Sequence, residues 1–286
     1  MEIIVGKTSG FCYGVKNAVD GAEKELKNSE SKVYCLGELI HNKTVTDKLK
    51  KNGIIFIDNI EEADGKTIIR AHGIEKSVYQ KAKEKNIELV DLKCPNVLKI
   101  HDIVEKYSNN GFYIFLIGKK EHPETIGTYS FAEKNCTIVS NKEDVEKAIK
   151  NLEESKLKKL LIISQTTYNL QVFDEIVQKV NDELEGKDIN IEIKNTICYA
   201  TELRQKETDK ISKEVDAMII VGGKNSSNTT KLYDISKKNC PNVIFVQNAN
   251  ELEIKKILGF QKIGIMAGAS TPKECIQEII EKLGGI

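Results

Sequence analysis

The stretch CPNVLKIHDIVEKYSNNGFYIFLIGKKEHPE, residues 94–124, sets the plan of the whole chain. It begins with a cysteine, continues with a helical pattern, reaches the apolar strand Phe112–Ile117, and ends in Gly118 and a polar cluster. The same order occurs over residues 12–42 and 198–228. The glycine follows the cysteine by 25, 24 and 24 residues in the three segments, taken in chain order. This register predicts three related units built one after another.

A later strand in each unit ends in a second polar cluster. These clusters contain His72, Thr166 and Ser270, which follow their cysteines by 60, 72 and 72 residues. Functional loops of open α/β sheets lie at the carboxyl ends of the strands, so three units around a pseudo-threefold axis would direct these loops at one central point. Polar residues follow the strands of any βα fold, so they alone do not indicate related units. Matched cysteines are not a general feature of βα folds, and they favour a true repeat.

Short apolar strands alternate with amphipathic segments along the chain, which predicts an α/β fold with mainly parallel sheets. The 286 residues alone would suggest about two domains, and the repeat revises this to three smaller ones. The predicted strands include Ile54–Ile57, Thr67–Ile69, Phe112–Ile117, Leu160–Ser164, Ala217–Val221, Val243–Val246 and Lys262–Met266. The predicted helices are Glu75–Asn86, Leu170–Leu184, Thr201–Val215 and Pro272–Leu283.

Composition excludes several classes of protein. Lys and Arg together number 43, as do Asp and Glu, and the zero net charge argues against a generally basic nucleic-acid-binding protein. The longest apolar run, residues 112–117, is far shorter than the ~20 residues of a membrane span. Residues 1–5 lack the basic and apolar regions of a secretion signal. We therefore expect a cytoplasmic protein with neither nucleic acid nor membrane as a partner.

The seven cysteines are odd in number and form no C-x-x-C pair, so a framework of disulfides is not expected. Three of them, Cys12, Cys94 and Cys198, occupy matched positions in the repeat. The other four have no threefold counterpart, and we expect them to be ordinary buried apolar residues. They are Cys35, Cys136, Cys240 and Cys275.

Three single cysteines from three units suit a metal site with three thiolates and one open position. Zinc is one possibility, although local C-x-x-C pairs usually hold structural zinc. A [4Fe–4S] cluster is the other, and with three cysteine ligands it would leave one iron free to act as a Lewis acid on a substrate. Cys94 precedes Pro95, a favoured first helical residue, so its thiolate would lie at a helix N-terminus.

Polar side chains of the strand-end clusters could bind an anion. They include three of the four histidines, while the fourth, His101, lies within a predicted helix and is expected to be structural. No G-x-x-x-x-G-K-[ST] or G-x-G-x-x-G pattern occurs, but serine, histidine, asparagine and backbone N–H groups can hold a phosphate or diphosphate without one. The candidate residues are His41, His72, His122, Thr166, Ser226, Ser227, Asn228 and Ser270.

Glu124 is the candidate proton donor. It stands two residues after His122, and a carboxyl in a closed site near an anion keeps its proton more readily. A purely structural role is equally compatible with the local sequence, because an acidic residue just after Pro123 also suits a helix N-terminus.

The motifs together resemble one known family. The segments GFCYGV, GELIHN, RAHG, CPNVLKIH, GKKEHPE, SQTT, NTICYATELRQ, VGGKNSSNT and GASTP are similar to the 4-hydroxy-3-methylbut-2-enyl diphosphate reductases, which act last in the non-mevalonate isoprenoid pathway. The likeness runs along essentially the whole chain. The chain departs from the pattern at Leu92-Lys93, where relatives often carry Ala-Thr, and at Asn195, where Asp is common.

The resemblance implies a trefoil of three α/β domains around a central [4Fe–4S] cluster held by Cys12, Cys94 and Cys198. The domains would span residues 13–94, 95–195 and 196–286, with the N-terminal strand 1–12 packed on the third. The cluster's open iron would take the hydroxyl of an allylic diphosphate substrate, and reductive loss of that hydroxyl as water would yield isopentenyl and dimethylallyl diphosphate. An electron donor such as flavodoxin or ferredoxin is expected as partner.

The resemblance also implies roles for the polar residues. Glu124 would supply protons, assisted by His122 and by Thr166, which would lie near the substrate's hydroxymethyl group. The diphosphate would be bound by His41, His72, His122, Ser226, Ser227, Asn228 and Ser270. Two other hypotheses remain open: a [4Fe–4S] hydro-lyase acting on a phosphorylated substrate, and a sugar- or nucleotide-phosphate binding protein in which the cysteines are incidental.

Overall fold

Strands and helices alternate throughout the computed structural model, which describes residues 1–132 and 134–284. The strands are β1 (Glu2–Val5), β2 (Val33–Leu36), β3 (Ile55–Ile57), β4 (Lys66–Ile69), β5 (Leu89–Asp91), β6 (Tyr113–Ile117), β7 (Cys136–Val139), β8 (Lys159–Ser164), β9 (Asn190–Ile193), β10 (Ala217–Val221), β11 (Val243–Val246) and β12 (Lys262–Ala267). The helices are α1 (Tyr13–Asn28), α2 (Lys43–Lys51), α3 (Lys76–Glu84), α4 (Pro95–Asn109), α5 (Pro123–Tyr129), α6 (Asp144–Ser155), α7 (Leu170–Leu184), α8 (Tyr199–Ser212), α9 (Ser227–Asn239) and α10 (Lys273–Gly284). None of these described helices has the length and apolar character needed to cross a membrane.

The strands form three parallel sheets of four strands each, and the three share one topology. Their orders are β3-β2-β4-β5, β7-β6-β8-β9 and β11-β10-β12-β1. The N-terminal strand β1 thus holds, beside β12, the edge position that β5 and β9 hold in the other sheets. The prediction of three related, parallel α/β sheets is confirmed.

The central strands are buried on both faces, as all-parallel sheets require. Every residue of β6 and β10 is buried, and their side chains are apolar on both sides of the strand. Helices supply the matching apolar faces; on α7, Phe173, Ile176 and Val180 pack into the core over β6 and β8. This packing fixes the strand ends from which the site loops emerge.

Strand registers align the loops of the three sheets more closely than counting along the chain does. The last paired residues of the two central strands are Leu36 and Ile69, Ile117 and Ser164, and Val221 and Ala267. Thr166 therefore lies level with Ala71 and Ala269, whereas the spacing from the cysteines had matched it with His72 and Ser270. The difference is one residue, and it arises because the lengths of the connecting segments vary between units.

The chain divides into two compact units. The first comprises Met1–Lys16, Ile40–Asn52 and Tyr199–Ile286, and it holds the sheet of β1, β10, β11 and β12. The second comprises Asn17–Leu39 and Gly53–Cys198, and it holds the other two sheets. The domain boundaries near residues 13, 95 and 196 stay a prediction.

Candidate active site

The three matched cysteines occupy equivalent places in the fold. Each follows an edge strand and directly precedes a helix: Cys12 precedes α1, Cys94 is the N-cap of α4, and Cys198 precedes α8. All three are half-buried, and none of the chain's seven cysteines forms a disulfide. The other four cysteines are buried, as expected; burial raises the pKa of the Cys35 thiol to about 12.

One backbone hydrogen bond recurs at all three cysteines. The N–H of Cys12 donates to the carbonyl of Ala269 at 3.1 Å, and the N–H of Cys94 donates to Ala71 at 3.0 Å. The N–H of Cys198 donates to Thr166 at 2.9 Å. The three acceptors are the residues that the strand registers place level with one another, so the repeat extends to individual hydrogen bonds.

Cysteine sulfur is the donor that an iron–sulfur cluster takes, and none of these three cysteines forms a disulfide. Cys12 belongs to the first unit, and Cys94 and Cys198 belong to the second. Within the second unit, Asn96 Nδ2 donates to Cys198 Sγ at 3.1 Å, so the start of the Cys94 helix reaches the Cys198 thiol. Over residues 1–132 and 134–284, no three Cys, His, Asp or Glu side chains are grouped so that they could hold a metal ion.

Glu124 and Thr166 form a buried pair in the second unit. Glu124 is 2% exposed, and its Oε1 accepts the backbone N–H of Thr166 at 2.6 Å. Its Oε2 accepts the Thr166 hydroxyl at 2.7 Å. Since Thr166 also binds the Cys198 N–H, a single residue links the carboxyl group to a predicted cluster ligand.

Burial raises the pKa of Glu124 from its ordinary value of 4.5 to about 7. The two hydrogen bonds from Thr166 act in the opposite direction, because they stabilise the carboxylate, but the cost of desolvating the charge is larger. A carboxyl group with this pKa is partly protonated at neutral pH and can deliver a proton there.

Two predicted phosphate-binding histidines contact each other, and one of them, His122, binds Glu124. The rings of His72 and His122 meet edge to face, with centroids 5.7 Å apart. His122 is the N-cap of α5, where its Nδ1 accepts the backbone N–H of Glu124 at 3.2 Å. This capping bond fixes the His122 ring and places Glu124 in the first turn of the helix. The second unit thus gathers His72, His122, Glu124 and Thr166.

The first unit gathers the other predicted phosphate-binding residues. Ser270 Oγ donates to the carbonyl of His41 at 3.0 Å. The same carbonyl lies against Gly223, where an added Cβ would come within 2.7 Å of it. The loop of His41 therefore meets both strand-end loops of the β10–β12 sheet.

The start of α9 presents a polar side chain with no internal partner. Asn228 is 3% exposed, and neither its Oδ1 nor its Nδ2 has a hydrogen-bond partner among the described residues. Ser226 caps the helix by accepting the N–H of Thr229 at 3.4 Å. An unsatisfied buried amide costs about 1–3 kcal/mol, and a polar ligand at this helix N-terminus would remove that cost.

The helices α5 and α9 pack on their strands through the same contact. An added Cβ on Gly118 would meet Thr125 Oγ1 at 2.8 Å, and one on Gly222 would meet Thr229 Oγ1 at 2.9 Å. The match places Asn228 at the position in its unit that Glu124 holds in the other. Equivalent helix positions thus carry an acid in α5 and a neutral amide in α9.

Two buried or site-adjacent residues were not anticipated from the sequence. Asn96 binds Cys198, and Gln165, which is 1% exposed, accepts the N–H of Lys119 at 3.2 Å. Their positions beside Cys94 and Thr166 were the only signal available. His101, expected to be structural, is 1% exposed, stacks on Phe131, and packs under Gly73.

Comparisons with known proteins agree along the whole chain. The family model described as LytB protein matches residues 3–284. A 4-hydroxy-3-methylbut-2-enyl diphosphate reductase of Alkaliphilus oremlandii is 41% identical over 289 residues, covering 100% of both chains. The reductase of the same name from Aquifex aeolicus is 38% identical, covering 99% of this chain and 96% of its own.

Two solved structures share the fold. The E-1-hydroxy-2-methyl-but-2-enyl-4-diphosphate reductase of Plasmodium falciparum is 32% identical and superposes with a TM-score of 0.89, covering 99% of this chain and 87% of its own. A second structure, described as (E)-4-hydroxy-3-methyl-but-2-enyl diphosphate reductase, the terminal enzyme of the non-mevalonate pathway, is 37% identical with a TM-score of 0.71, and it covers both chains completely.

Proposed function

Because the chain belongs to the LytB family of 4-hydroxy-3-methylbut-2-enyl diphosphate reductases, terminal oxidoreductases of the non-mevalonate pathway, we propose that the site described above carries out this reduction. The substrate is a small allylic diphosphate. Two electrons and two protons enter, the allylic C–O bond breaks, and the hydroxyl leaves as water. The products are isopentenyl and dimethylallyl diphosphate.

Cys12, Cys94 and Cys198 would hold a [4Fe–4S] cluster. The observation that carries this proposal is the recurrent hydrogen bond that fastens each of these cysteines to the equivalent strand-end loop. When bound, the cluster would pass the two electrons from the donor to the substrate and provide one open, Lewis-acidic iron. An iron–sulfur electron carrier or a flavodoxin would be the electron donor.

The diphosphate would be bound by histidines, serines and Asn228. His41, Ser226, Ser227, Asn228 and Ser270 would act from the first unit, and His72 and His122 from the second. The unsatisfied amide of Asn228 supports this assignment, since it can donate to a phosphate oxygen. Binding energy gathered at the diphosphate, away from the reacting carbon, would hold the substrate in a reactive orientation.

Glu124 would supply the proton that turns the hydroxyl into water. At neutral pH a fraction of Glu124 is protonated, and its O–H can donate to Thr166 Oγ1 at the 2.7 Å separation of the two oxygens. The Thr166 O–H is then free to turn and donate to the substrate oxygen. Thr166 would thus relay the proton while its backbone stays fixed by Glu124 and Cys198. His122 would hold Glu124 in place through the helix cap.

A [4Fe–4S] hydro-lyase is the competing function, because it would use the same open iron without net electron transfer. The test is an anaerobic assay of the diphosphate alcohol with and without a chemical reductant such as dithionite. The reductase should form isopentenyl and dimethylallyl diphosphate only when reductant is present. Iron-loaded protein that converts a phosphorylated substrate without reductant, and fails to turn over with it, would favour the hydro-lyase.

A further inference from the structure

The loop that precedes Cys12 is the longest of the three that lead into the matched cysteines. Six residues, 6–11, separate β1 from Cys12, whereas two residues separate β5 from Cys94 and four separate β9 from Cys198. We refer to residues 6–11 as the Cys12 loop. Each additional ordered residue costs about 1–2 kcal/mol of backbone entropy, so a longer loop needs more contacts to hold one conformation.

Helix α8 supplies such contacts through Glu207. The Glu207 carboxylate accepts the backbone N–H of Lys7 and that of Thr8, each at 2.8 Å. It also accepts the Thr8 hydroxyl at 2.5 Å. Burial raises the pKa of Glu207, but the hydrogen bonds from Thr8 and Lys7 outweigh it, and the pKa lies below its ordinary value of 4.5. The carboxylate is therefore charged at neutral pH, and its three hydrogen bonds are charge-assisted.

Arg204, one helical turn earlier on α8, reaches the other end of the same loop. Its side chain is buried at 4% exposure, and Nη2 donates to the carbonyl of Gly10 at 2.7 Å. Nη1 donates to the carbonyl of Ala200 in its own helix at 3.0 Å, which fixes the guanidinium plane. Gly10 has a φ of +99°, a conformation that the loop needs immediately before it enters Cys12.

Strand β12 holds the opposite side of the loop. The backbone N–H of Ala267 donates to Ser9 Oγ at 3.0 Å, and the N–H of Gly6 donates to the carbonyl of Ile265 at 2.9 Å. The Cys12 loop is thus held between a strand end and a helix face. The Gly6 bond has a counterpart before Cys198, where the N–H of Lys194 donates to the carbonyl of Ile162 at 2.9 Å. The α8 contacts add to these bonds.

We propose that Arg204 and Glu207 are positioning residues of the reductase, which hold the Cys12 loop against α8 and so orient Cys12 as a cluster ligand. The ligand role of Cys12 rests on the proposed function, whereas the clamp on the loop stands on the contacts above. Because α8 begins directly after Cys198, one helix then carries the anchor for a loop of one predicted ligand and the attachment point of another.

The test is the rate at which iodoacetamide alkylates each cysteine in the full-length chain without added iron, followed by peptide mass spectrometry. In Glu207→Gln, alkylation of Cys12 should rise about tenfold, because a charged acceptor of three hydrogen bonds has been lost. Cys94 and Cys198 should keep their rates. The matched control is Glu202→Gln, which removes a carboxylate from the same helix whose partner is Lys206.

Thr8 provides a milder pair of variants. Thr8→Val keeps the backbone bonds and loses the hydroxyl bond, so alkylation of Cys12 should rise about threefold, whereas Thr8→Ser should behave like the wild type. An unchanged Cys12 rate in Glu207→Gln would overturn the proposal. So would an equal rise at all three cysteines, which would indicate general loosening, or equal effects of Thr8→Val and Thr8→Ser.

A second readout connects the clamp to the cluster. After anaerobic reconstitution, Glu207→Gln should lose iron to a chelator faster than the wild type and Glu202→Gln. Equal rates of iron loss in the three proteins would count against the positioning role. A wild-type chain that takes up no iron at all would defeat the proposed cluster instead, and the alkylation result would still decide whether the loop is clamped.

Discussion

At the scale of single residues, burial sets the chemical properties of Glu124 and Thr166. Glu124 and Thr166 are 42 residues apart in the chain and touch only because two parallel strands of one sheet end side by side. The sequence singled out both residues, but it could not show that they bind each other or that Glu124 is buried. The alternative role considered for Glu124, an acidic residue at a helix N-terminus, also agrees with the structure, since Glu124 lies in the first turn of α5. The raised pKa is what distinguishes Glu124 from an ordinary acid at that place.

Replacing Glu124 by Gln should leave substrate binding largely intact and cut turnover about a hundredfold or more, because the proposed proton donor is removed while the shape of the side chain is kept. Steady-state kinetics with the diphosphate alcohol would measure this. Glu121→Gln, an exposed residue of the same loop, serves as control and should keep wild-type turnover. Normal turnover in Glu124→Gln would mean that another group delivers the proton.

The same residue should make stability depend on pH. Between about pH 4.5 and 7 the unfolded chain releases the Glu124 proton and the folded chain keeps it, so the free energy of unfolding falls as pH rises through this range. The loss approaches about 3 kcal/mol above pH 7, because each pKa unit corresponds to ~1.4 kcal/mol. The Glu124→Gln variant lacks this dependence. Its urea unfolding midpoint, measured relative to that of the wild type, should therefore rise from pH 5 to pH 8. A constant difference between the two midpoints would show that the folded-state pKa is not raised.

Asn228→Ala should weaken binding of the diphosphate. The phosphate would lose a charge-assisted hydrogen bond from the Asn228 amide, so KM should rise about tenfold or more while kcat changes less. The exposed Asn250 offers a matched control as Asn250→Ala. If KM were unchanged in Asn228→Ala, the unsatisfied amide would need another explanation.

At the scale of helices and strands, apolar periodicity located the elements that bury apolar faces. The bounds of β10 and α7 match the predicted ranges, because these segments are uniformly or regularly apolar. Helix α8 was displaced, with Tyr199–Ser212 observed against Thr201–Val215 predicted. Its buried face is largely polar and includes Thr201, Arg204 and Gln205, so the apolar pattern could not mark its ends. The edge strands β5 and β9 were not assigned, because they are half-exposed and carry little apolar signal.

The close packing of α9 on β10 can be tested with glycines. Gly222 and Gly259 both have positive φ, so replacement by Ala strains the backbone at either position. Only at Gly222 would the new Cβ collide, at 2.7 Å from Thr271 Oγ1 and 2.9 Å from Thr229 Oγ1. Gly222→Ala should therefore cost about 1–3 kcal/mol more than Gly259→Ala in unfolding experiments. Equal losses would show that the Gly222 contact tolerates a methyl group.

At the scale of the whole molecule, the repeat was the most informative feature of the sequence. The cysteine-to-glycine spacing predicted three related sheets, and their identical strand orders confirm it. Counting residues along the chain could not supply the register of the strands. That register makes Ala71 and Ala269, and not His72 and Ser270, the equivalents of Thr166. Counting did not indicate the place of β1 either, because an edge strand of four half-exposed residues carries little apolar signal. The expectation that the N-terminal strand packs on the third domain came from the family resemblance. The equivalent backbone bonds of Cys12, Cys94 and Cys198 became visible only in three dimensions.

The most direct test of the central claim, that these three cysteines hold an open-iron cluster, is the iron and sulfide content of protein purified and reconstituted without oxygen. The wild type should contain about four iron and four sulfide per chain, with the visible absorbance of a cluster. Cys12→Ser, Cys94→Ser and Cys198→Ser should each lose most of it, whereas Cys240→Ser, a buried residue whose Sγ lies near backbone carbonyls, should retain it. An iron-free wild type, or a Cys94→Ser variant with wild-type iron and absorbance, would contradict the account.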